Sequence, residues 1–117
     1  YGGRLGPWAQ TRYMPMIKTK YKLDADRIPF NFDDIISAIA PRAFFSVSPL
    51  RDANFDVKGV IEGIALAKKT YRSLGAEDML QVRYPDAEHD FPVDNRKEAY
   101  AFIDSIFGFT PINTDLK

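Results

Sequence analysis

The chain has 117 residues, within the usual range for one domain, and it carries 16 acidic and 16 basic residues. The resulting zero net charge gives no excess of positive charge for a polyanion, which argues against a nucleic acid partner. Because cysteine is absent, disulfides and thiolate metal sites are excluded, and no apolar run is long enough to span a membrane.

The N-terminal region is predicted to have little regular structure. Residues 1–6 are glycine-rich and predict a loop, and residues 8–21 mix aromatic residues, Met and Pro without a sustained period. Trp8 and Tyr13 are candidates for substrate binding, because aromatic rings can form a wall against a sugar ring. The alternative is that both are packing residues, which is the commoner role of large aromatic side chains.

A short helix is predicted to end at Ile39, where Pro41 prevents its continuation. Asn31 or Asp33 is expected to cap its N-terminus. Its inward face is predicted to carry three isoleucines, Ile35, Ile36 and Ile39. This helix would lead the chain into the first strand.

Residues 41–92 are predicted to form a strand–helix–strand unit. Residues 43–48 are short, apolar and aromatic or β-branched, and Pro49 closes them, which indicates a strand. Residues 57–74 have apolar residues at helical spacing, with Asp56 as N-cap and Gly75 at the C-terminal end. The inward face of this helix is expected to consist of Val57, Val60, Ile61, Ile64, Ala67, Tyr71 and Leu74. Residues 80–84 alternate in polarity before Pro85, as a second strand would.

Two chemically important residues follow the two strands. Strand, helix, strand implies a crossover between parallel strands, whose carboxyl ends lie at the same sheet edge. The loop after the first strand carries Asp52, and the loop after the second carries His89, the only histidine. A carboxylate that orients an imidazole makes a general base, so we expect these two residues to meet there.

Other acids compete with Asp52 for contact with His89. Asp56 is better explained as the N-cap of the following helix, and Asp86 and Glu88 lie too close along the chain to reach the ring with good geometry. For Asp52 itself, the alternative is a turn aspartate that satisfies its own loop. A lone histidine with no second histidine or cysteine argues against a metal site.

The segment after His89 is predicted to shape the site and to cover the sheet. Phe91 is expected to pack beneath the imidazole or to line the pocket. A last helix is predicted over residues 95–107, with Asp94 as N-cap and Gly108 at its end. Its buried side is expected to comprise Ala99, Phe102, Ile103 and Ile106, and residues 109–117 read as a loose tail.

Several segments in this order resemble the C-terminal part of an α/β-hydrolase, of the acetyl-xylan-esterase and dienelactone-hydrolase-like branch. They are the turn Ala40-Pro41-Arg42 before the first strand, Asp52 in RDANF, His89 in EHDFP, and the stretch GPWAQTRYMPMI near the start. The resemblance implies that Asp52 is the catalytic acid and His89 the catalytic histidine. It also implies an ester substrate, in particular an acyl group on carbohydrate, and no cofactor.

The family's nucleophile is the element that this sequence lacks. No G-x-S-x-G pentapeptide surrounds any of the serines, which are Ser37, Ser46, Ser48, Ser73 and Ser105. Because the family order is nucleophile, acid, histidine, we expect the nucleophile to lie upstream of Tyr1. Residues 1–117 are then a partial α/β domain with two parallel strands and flanking helices, inactive alone, whose partner is the missing N-terminal portion of the same protein.

Two alternatives remain open at this stage. A prolyl-oligopeptidase-like serine peptidase would use the same acid and histidine, and a non-catalytic remnant or binding module would keep the fold without a nucleophile. The compartment is also open, since a protein without cysteine is as compatible with secretion or the periplasm as with the cytoplasm. The chain starts with YGGRLG, so we expect any signal peptide to lie in the missing portion.

Overall fold

A computed structural model describes residues 5–110 of the chain. Its helices are α1 (Met16–Thr19), α2 (Phe32–Ile39), α3 (Val57–Ser73) and α4 (Val93–Phe107), and its strands are β1 (Phe44–Val47) and β2 (Leu80–Arg83). Three short 3-10 turns are also present, Gly6–Ala9, Ala25–Arg27 and Glu77–Met79. The expected loop over residues 1–4 and most of the expected loose tail, residues 111–117, lie outside the described residues.

The two strands pair in parallel, as the strand–helix–strand pattern predicts. Phe44 lies opposite Leu80, and Val47 lies opposite Arg83. The chain is therefore of the α/β class, with the helices packed on a parallel pair. Within residues 5–110, each strand has only the other as a hydrogen-bonded neighbour.

One face of the sheet packs against α3 and α2. Alternate residues of a strand point to opposite faces, so Phe44 of β1 and Val82 of β2 lie on the same side. They pack against a core of four buried residues, Ile64, Ala67, Tyr71 and Leu80. Tyr71 is fully buried, and its hydroxyl donates a hydrogen bond of 2.8 Å to the backbone carbonyl of Arg42. This bond ties α3 to the segment that enters β1.

The other face of the sheet is covered by α4. The ring of Phe102 on α4 lies 5.3 Å from the ring of Phe45 on β1. Arg83 of β2 forms an ion pair with Glu98 of α4 and lies over the Phe45 ring. The helix that follows the histidine loop is therefore anchored to both strands.

The predicted helix ends are mostly confirmed. The backbone N–H of Asn31, the N-cap of α2, donates to the Asp34 carboxylate at 2.7 Å, and the Asp56 carboxylate caps α3 by accepting from the backbone of Lys58 at 3.0 Å. Gly75 and Gly108 follow α3 and α4 with φ of 66° and 63°, the left-handed geometry that glycine adopts without strain.

The N-terminus of α4 differs from the prediction. The helix begins at Val93, so the N-cap is Pro92, and Asp94 lies inside the first turn. A carboxylate in the first turn still interacts favourably with the positive end of the helix dipole. The proline ring provides no side-chain acceptor, which explains why sequence reasoning moved the cap to the next acid.

Several residues predicted to face inward are exposed. They are Ile35, Ile61, Leu74, Ile103 and Ile106. The physical reason is that a sheet of two strands is narrower than the apolar stripe of the helices that cover it, so the outer part of each stripe stays in solvent.

No helix within residues 5–110 combines the length and the apolar composition that crossing a membrane requires.

Candidate catalytic site

The loops that follow β1 and β2 run side by side at the carboxyl edge of the sheet. The backbone N–H of Ser48 donates to the carbonyl of Arg83 at 2.9 Å, and that of Leu50 donates to the carbonyl of Pro85 at 2.9 Å. A third bond, from the N–H of Arg51 to the carbonyl of Ala87, measures 3.0 Å. Pairing thus continues past the strand ends and sets the spacing of the two loops.

This spacing brings Asp52 and His89 into direct contact. Oδ2 of Asp52 lies 2.9 Å from Nδ1 of His89, although the residues are 37 positions apart. The structure therefore brings together the two residues that the sequence placed at one edge. An ionised carboxylate can only accept, so Nδ1 carries the proton and donates a hydrogen bond to Oδ2 of Asp52.

The second carboxylate oxygen of Asp52 is held by its own turn. Oδ1 accepts hydrogen bonds from the backbone N–H of Asn54 at 2.8 Å and of Phe55 at 3.2 Å. Burial favours the neutral acid, but the hydrogen bonds from His89, Asn54 and Phe55 outweigh it, so the pKa of Asp52 lies below its usual value. Asp52 is therefore ionised at neutral pH, and both of its oxygens are fixed.

The other ring nitrogen of His89, Nε2, belongs to a side chain that is largely exposed. The His89 side chain is 58% exposed, whereas that of Asp52 is only 6% exposed. Among residues 5–110, no hydrogen-bond partner is found for Nε2. With the proton on Nδ1, Nε2 has a free lone pair and can accept a proton from a group that approaches the sheet edge.

The aromatic ring that stacks on His89 belongs to Phe55, which sequence reasoning missed. The ring centroids are 5.7 Å apart and the planes differ by 22°. Phe91 was expected to pack beneath the ring or to line the pocket, but its side chain is exposed and it is not among the residues that line the cavity beside Asp52. Its backbone N–H donates to the Asp90 carboxylate at 2.7 Å. The signal for Phe55 was its place in the turn that Asp52 caps, three residues after the acid.

The two N-terminal aromatic candidates belong to a cluster that includes Phe55. Trp8 lies 6.1 Å from Phe55, 4.8 Å from Phe32 and 6.4 Å from Tyr13, measured between ring centroids. Trp8 is partly buried, in keeping with a packing role. Tyr13, at the edge of the cluster, is 61% exposed. A substrate contact by either residue stays a prediction.

Three other acids near the site, Asp56, Asp86 and Asp90, have partners other than His89. The carboxylate of Asp86 pairs with the guanidinium of Arg51 at 3.1 Å. The Arg51 guanidinium also donates a hydrogen bond to the backbone carbonyl of Asp86. The carboxylate of Asp90 accepts from the backbone N–H of the next residue, Phe91, and that of Asp56 caps α3. Asp52 is thus the acid that contacts the imidazole.

A shallow, mainly apolar cavity of about 230 Å³ lies beside Asp52. Its lining consists of Val47, Ser48, Pro49, Asp52, Phe55, Val57 and Val60.

Within the described part of the chain, no group of three or more histidine, cysteine or acidic residues is arranged to hold a metal ion. Proton transfer at His89 is the chemistry that these side chains offer.

No serine of the described region is engaged with His89. The hydroxyls of Ser46 and Ser48 bond to each other at 3.1 Å, and those of Ser73 and Ser105 donate to carbonyls within their own helices. The site as described thus contains an acid and a base but no nucleophile hydrogen-bonded to that base.

Comparisons with protein-family models, curated proteins and solved structures found no match to this chain. The resemblance to α/β-hydrolases therefore depends on the ordered motifs and is carried forward as a proposal. The geometry of Asp52 and His89 supports that proposal independently of the motifs.

Proposed function

We propose that this chain supplies the acid and the histidine of a Ser-His-Asp triad in a serine hydrolase that acts on carboxylic esters. In this proposal the fold is the C-terminal part of an α/β-hydrolase, and the nucleophile lies in sequence that precedes Tyr1 in the intact protein. The observation that carries the proposal is the contact of 2.9 Å between Asp52, whose ionised side chain is only 6% exposed, and His89, whose side chain is 58% exposed.

Each group has a defined part in the proposed reaction. Nε2 of His89 takes the proton of the nucleophile's hydroxyl as the oxygen attacks the ester carbonyl. The imidazolium that forms is stabilised by the Asp52 carboxylate, which keeps Nδ1–H pointing at Oδ2. Nε2 then gives the proton to the leaving alkoxide, and a second cycle with water releases the acid.

The substrate class proposed is a carbohydrate that carries an acyl group. The family resemblance supports this class, and the exposed ring of Tyr13 near the Trp8–Phe55 cluster supplies an apolar surface of the kind that suits the face of a sugar ring. No cofactor has a part in this chemistry, because the nucleophile, base and acid are all protein groups.

The test compares the intact protein with variants of the triad residues. The sequence before Tyr1 is expected to contain G-x-[SC]-x-G after an apolar strand, and a fluorophosphonate probe should label that residue. Labelling and turnover of p-nitrophenyl acetate should be lost in His89→Ala, whereas His89→Ala should make no difference to residues 1–117 alone, which we expect to be inactive. An intact protein that lacks such a nucleophile would contradict the proposal.

A second candidate is a non-catalytic binding module that retains the fold. The observation that favours it is the lack of a serine hydroxyl on His89 within residues 5–110. The same assay separates the two, because a module would be neither labelled nor active. The peptidase alternative is separated by substrate: it should cleave a proline p-nitroanilide faster than an acetylated sugar.

A further inference from the structure

The geometry points to Phe55 as a positioning residue, whose ring fixes the plane of the His89 imidazole. The inference deepens the proposed function in one respect, since it concerns the base of the proposed triad. The restraint on the ring is a property of the chain itself, however, and it can be measured whether or not the protein hydrolyses esters.

A single hydrogen bond is a weak restraint on an exposed imidazole. The His89 side chain is 58% exposed, and its hydrogen bond to Asp52 places Nδ1 without fixing the tilt of the ring around that atom. The second side-chain torsion of histidine has a broad preference, so the side chain itself does not supply the missing restraint. Some other contact has to hold the ring plane.

The Phe55 ring makes that contact. Its centroid is 5.7 Å from that of the imidazole and the planes are nearly parallel, at 22°, which is the offset-stacked arrangement that aromatic rings favour. Tilting the imidazole away from this plane would break the stack, whereas the hydrogen bond alone would tolerate the tilt. The stack and the bond to Asp52 therefore restrain different motions of one ring.

Phe55 is suited to this task because its own position is fixed by the site. Its backbone N–H donates to Oδ1 of Asp52 at 3.2 Å, so the residue that stacks on the base also binds the acid. Its ring lies 6.1 Å from that of Trp8, which is packed in turn against Phe32. The acid, the base and the aromatic cluster are thus joined through one residue.

The effect of the side chain can be separated from that of the backbone. Leucine at position 55 keeps the N–H that binds Asp52 and removes only the aromatic ring, so Phe55→Leu tests the stack. Phe55→Tyr restores a ring of the same shape and should behave as the wild type. Phe102→Leu is the matched control, because Phe102 also packs against an aromatic residue, Phe45, but on the other face of the sheet.

The measurement is NMR of the His89 imidazole in the intact protein. The ring signals that disappear in His89→Ala are those of His89, the only histidine of residues 1–117. We expect nitrogen shifts of a single tautomer with the proton on Nδ1 in the wild type, Phe55→Tyr and Phe102→Leu. In Phe55→Leu, solvent exchange of that proton should become roughly two- to tenfold faster, as the loss of one aromatic pair predicts, and the nitrogen shifts should move toward a tautomer average.

A second measurement uses the ring current of Phe55. The carbon-bound protons of the His89 ring should be shifted upfield in the wild type and should return toward random-coil positions in Phe55→Leu. Unchanged exchange and unchanged shifts in a folded Phe55→Leu variant would overturn the inference. If Phe55→Leu does not fold, Phe55→Met takes its place, with the same expected changes. Random-coil shifts of the His89 ring protons in the wild type would also overturn the inference. A restrained ring in a protein without esterase activity would support this inference and contradict the proposed function.

Discussion

Oδ2 of Asp52 and Nδ1 of His89 are 2.9 Å apart, but Asp52 is 6% exposed and His89 is 58% exposed. The acid therefore lies behind the base, under its own turn, with its second oxygen bound by the backbone of Asn54 and Phe55. Within residues 5–110, His89 is the side chain that binds this carboxylate, and more than half of the His89 side chain is exposed.

Replacing Asp52 should disable the proposed enzyme, whereas replacing its nearest rival should not. In the intact protein, Asp52→Asn is expected to lower kcat for p-nitrophenyl acetate by about 10⁴-fold, because the imidazole loses the charge that stabilises its protonated form and sets its tautomer. Asp86→Asn is the matched control, since Asp86 pairs with Arg51, an exposed salt bridge, and should change kcat little. A large loss in the control with a normal Asp52→Asn would reassign the acid.

Asp52 should also make stability depend on pH in acid. Its pKa is lowered in the folded state, so the unfolded chain takes up the proton first and ionised Asp52 stabilises the fold. This contribution is complete above the unfolded value of 3.8 and is lost as the pH falls through the lower folded value. The free energy of unfolding from urea titrations should therefore fall more steeply below that pH in the wild type than in Asp52→Asn. If the free energy of unfolding depends on pH equally in the two proteins, the fold does not stabilise the ionised form of Asp52.

The hydroxyl of Tyr71 should contribute measurably to stability. Tyr71→Phe removes the 2.8 Å hydrogen bond to the carbonyl of Arg42 and leaves that carbonyl without this donor, which should cost about 1 kcal/mol in the free energy of unfolding. Tyr100→Phe, at an exposed tyrosine of α4, is the control and should stay within about 0.5 kcal/mol of the wild type. Equal effects at the two positions would contradict the role given to the buried bond.

Tyr71 also predicts a loss of stability in base. Burial raises the pKa of Tyr71 above 10.0, and nearby Arg42 offsets only part of this effect. The stabilisation by the neutral phenol is present below pH 10.0 and is lost as the pH rises through the folded value, because the unfolded chain ionises first. Above pH 10.0, the free energy of unfolding of the wild type should therefore fall more steeply than that of Tyr71→Phe.

Two glycines of the α3 region should respond to alanine with opposite signs. Gly75 has φ of 66°, so Gly75→Ala forces a side chain into the left-handed region and should destabilise the fold by about 1 kcal/mol. Gly59 lies within α3 with open space around an added Cβ, so Gly59→Ala should stabilise it by about 0.5–1 kcal/mol. Thermal unfolding of both variants provides the comparison, and a stabilised Gly75→Ala would be inconsistent with the helix end described.

Sequence reasoning succeeded where a local pattern matched the final environment. The apolar spacing over residues 57–74 predicted α3, because apolar residues at intervals of three and four lie on one face of a helix. Of this face, Ile64, Ala67 and Tyr71 are indeed buried. The contact of Asp52 with His89 was likewise predictable, since parallel strands bring their trailing loops to one edge. The predictions that failed include the inward orientation of apolar residues in α2, α3 and α4 and the N-cap at Asp94.

The aromatic surroundings of the histidine were beyond a linear pattern. Phe91 is two residues from His89, and Phe55 is thirty-four positions away, yet Phe55 stacks on the ring. Sequence distance favours the first, but the closed turn around Asp52 directs Phe55 across to the neighbouring loop. Trp8 joins the same cluster from the start of the chain.

The sequence by itself determined helices α2, α3 and α4, the two parallel strands and the strand that Asp52 and His89 each follow, because these depend on periodicity, capping residues and chain order. Only the tertiary structure decided how far the Asp52 carboxylate is withdrawn from solvent, which backbone groups hold it and which ring stacks on His89. These features depend on the packing of loops that are distant in the chain.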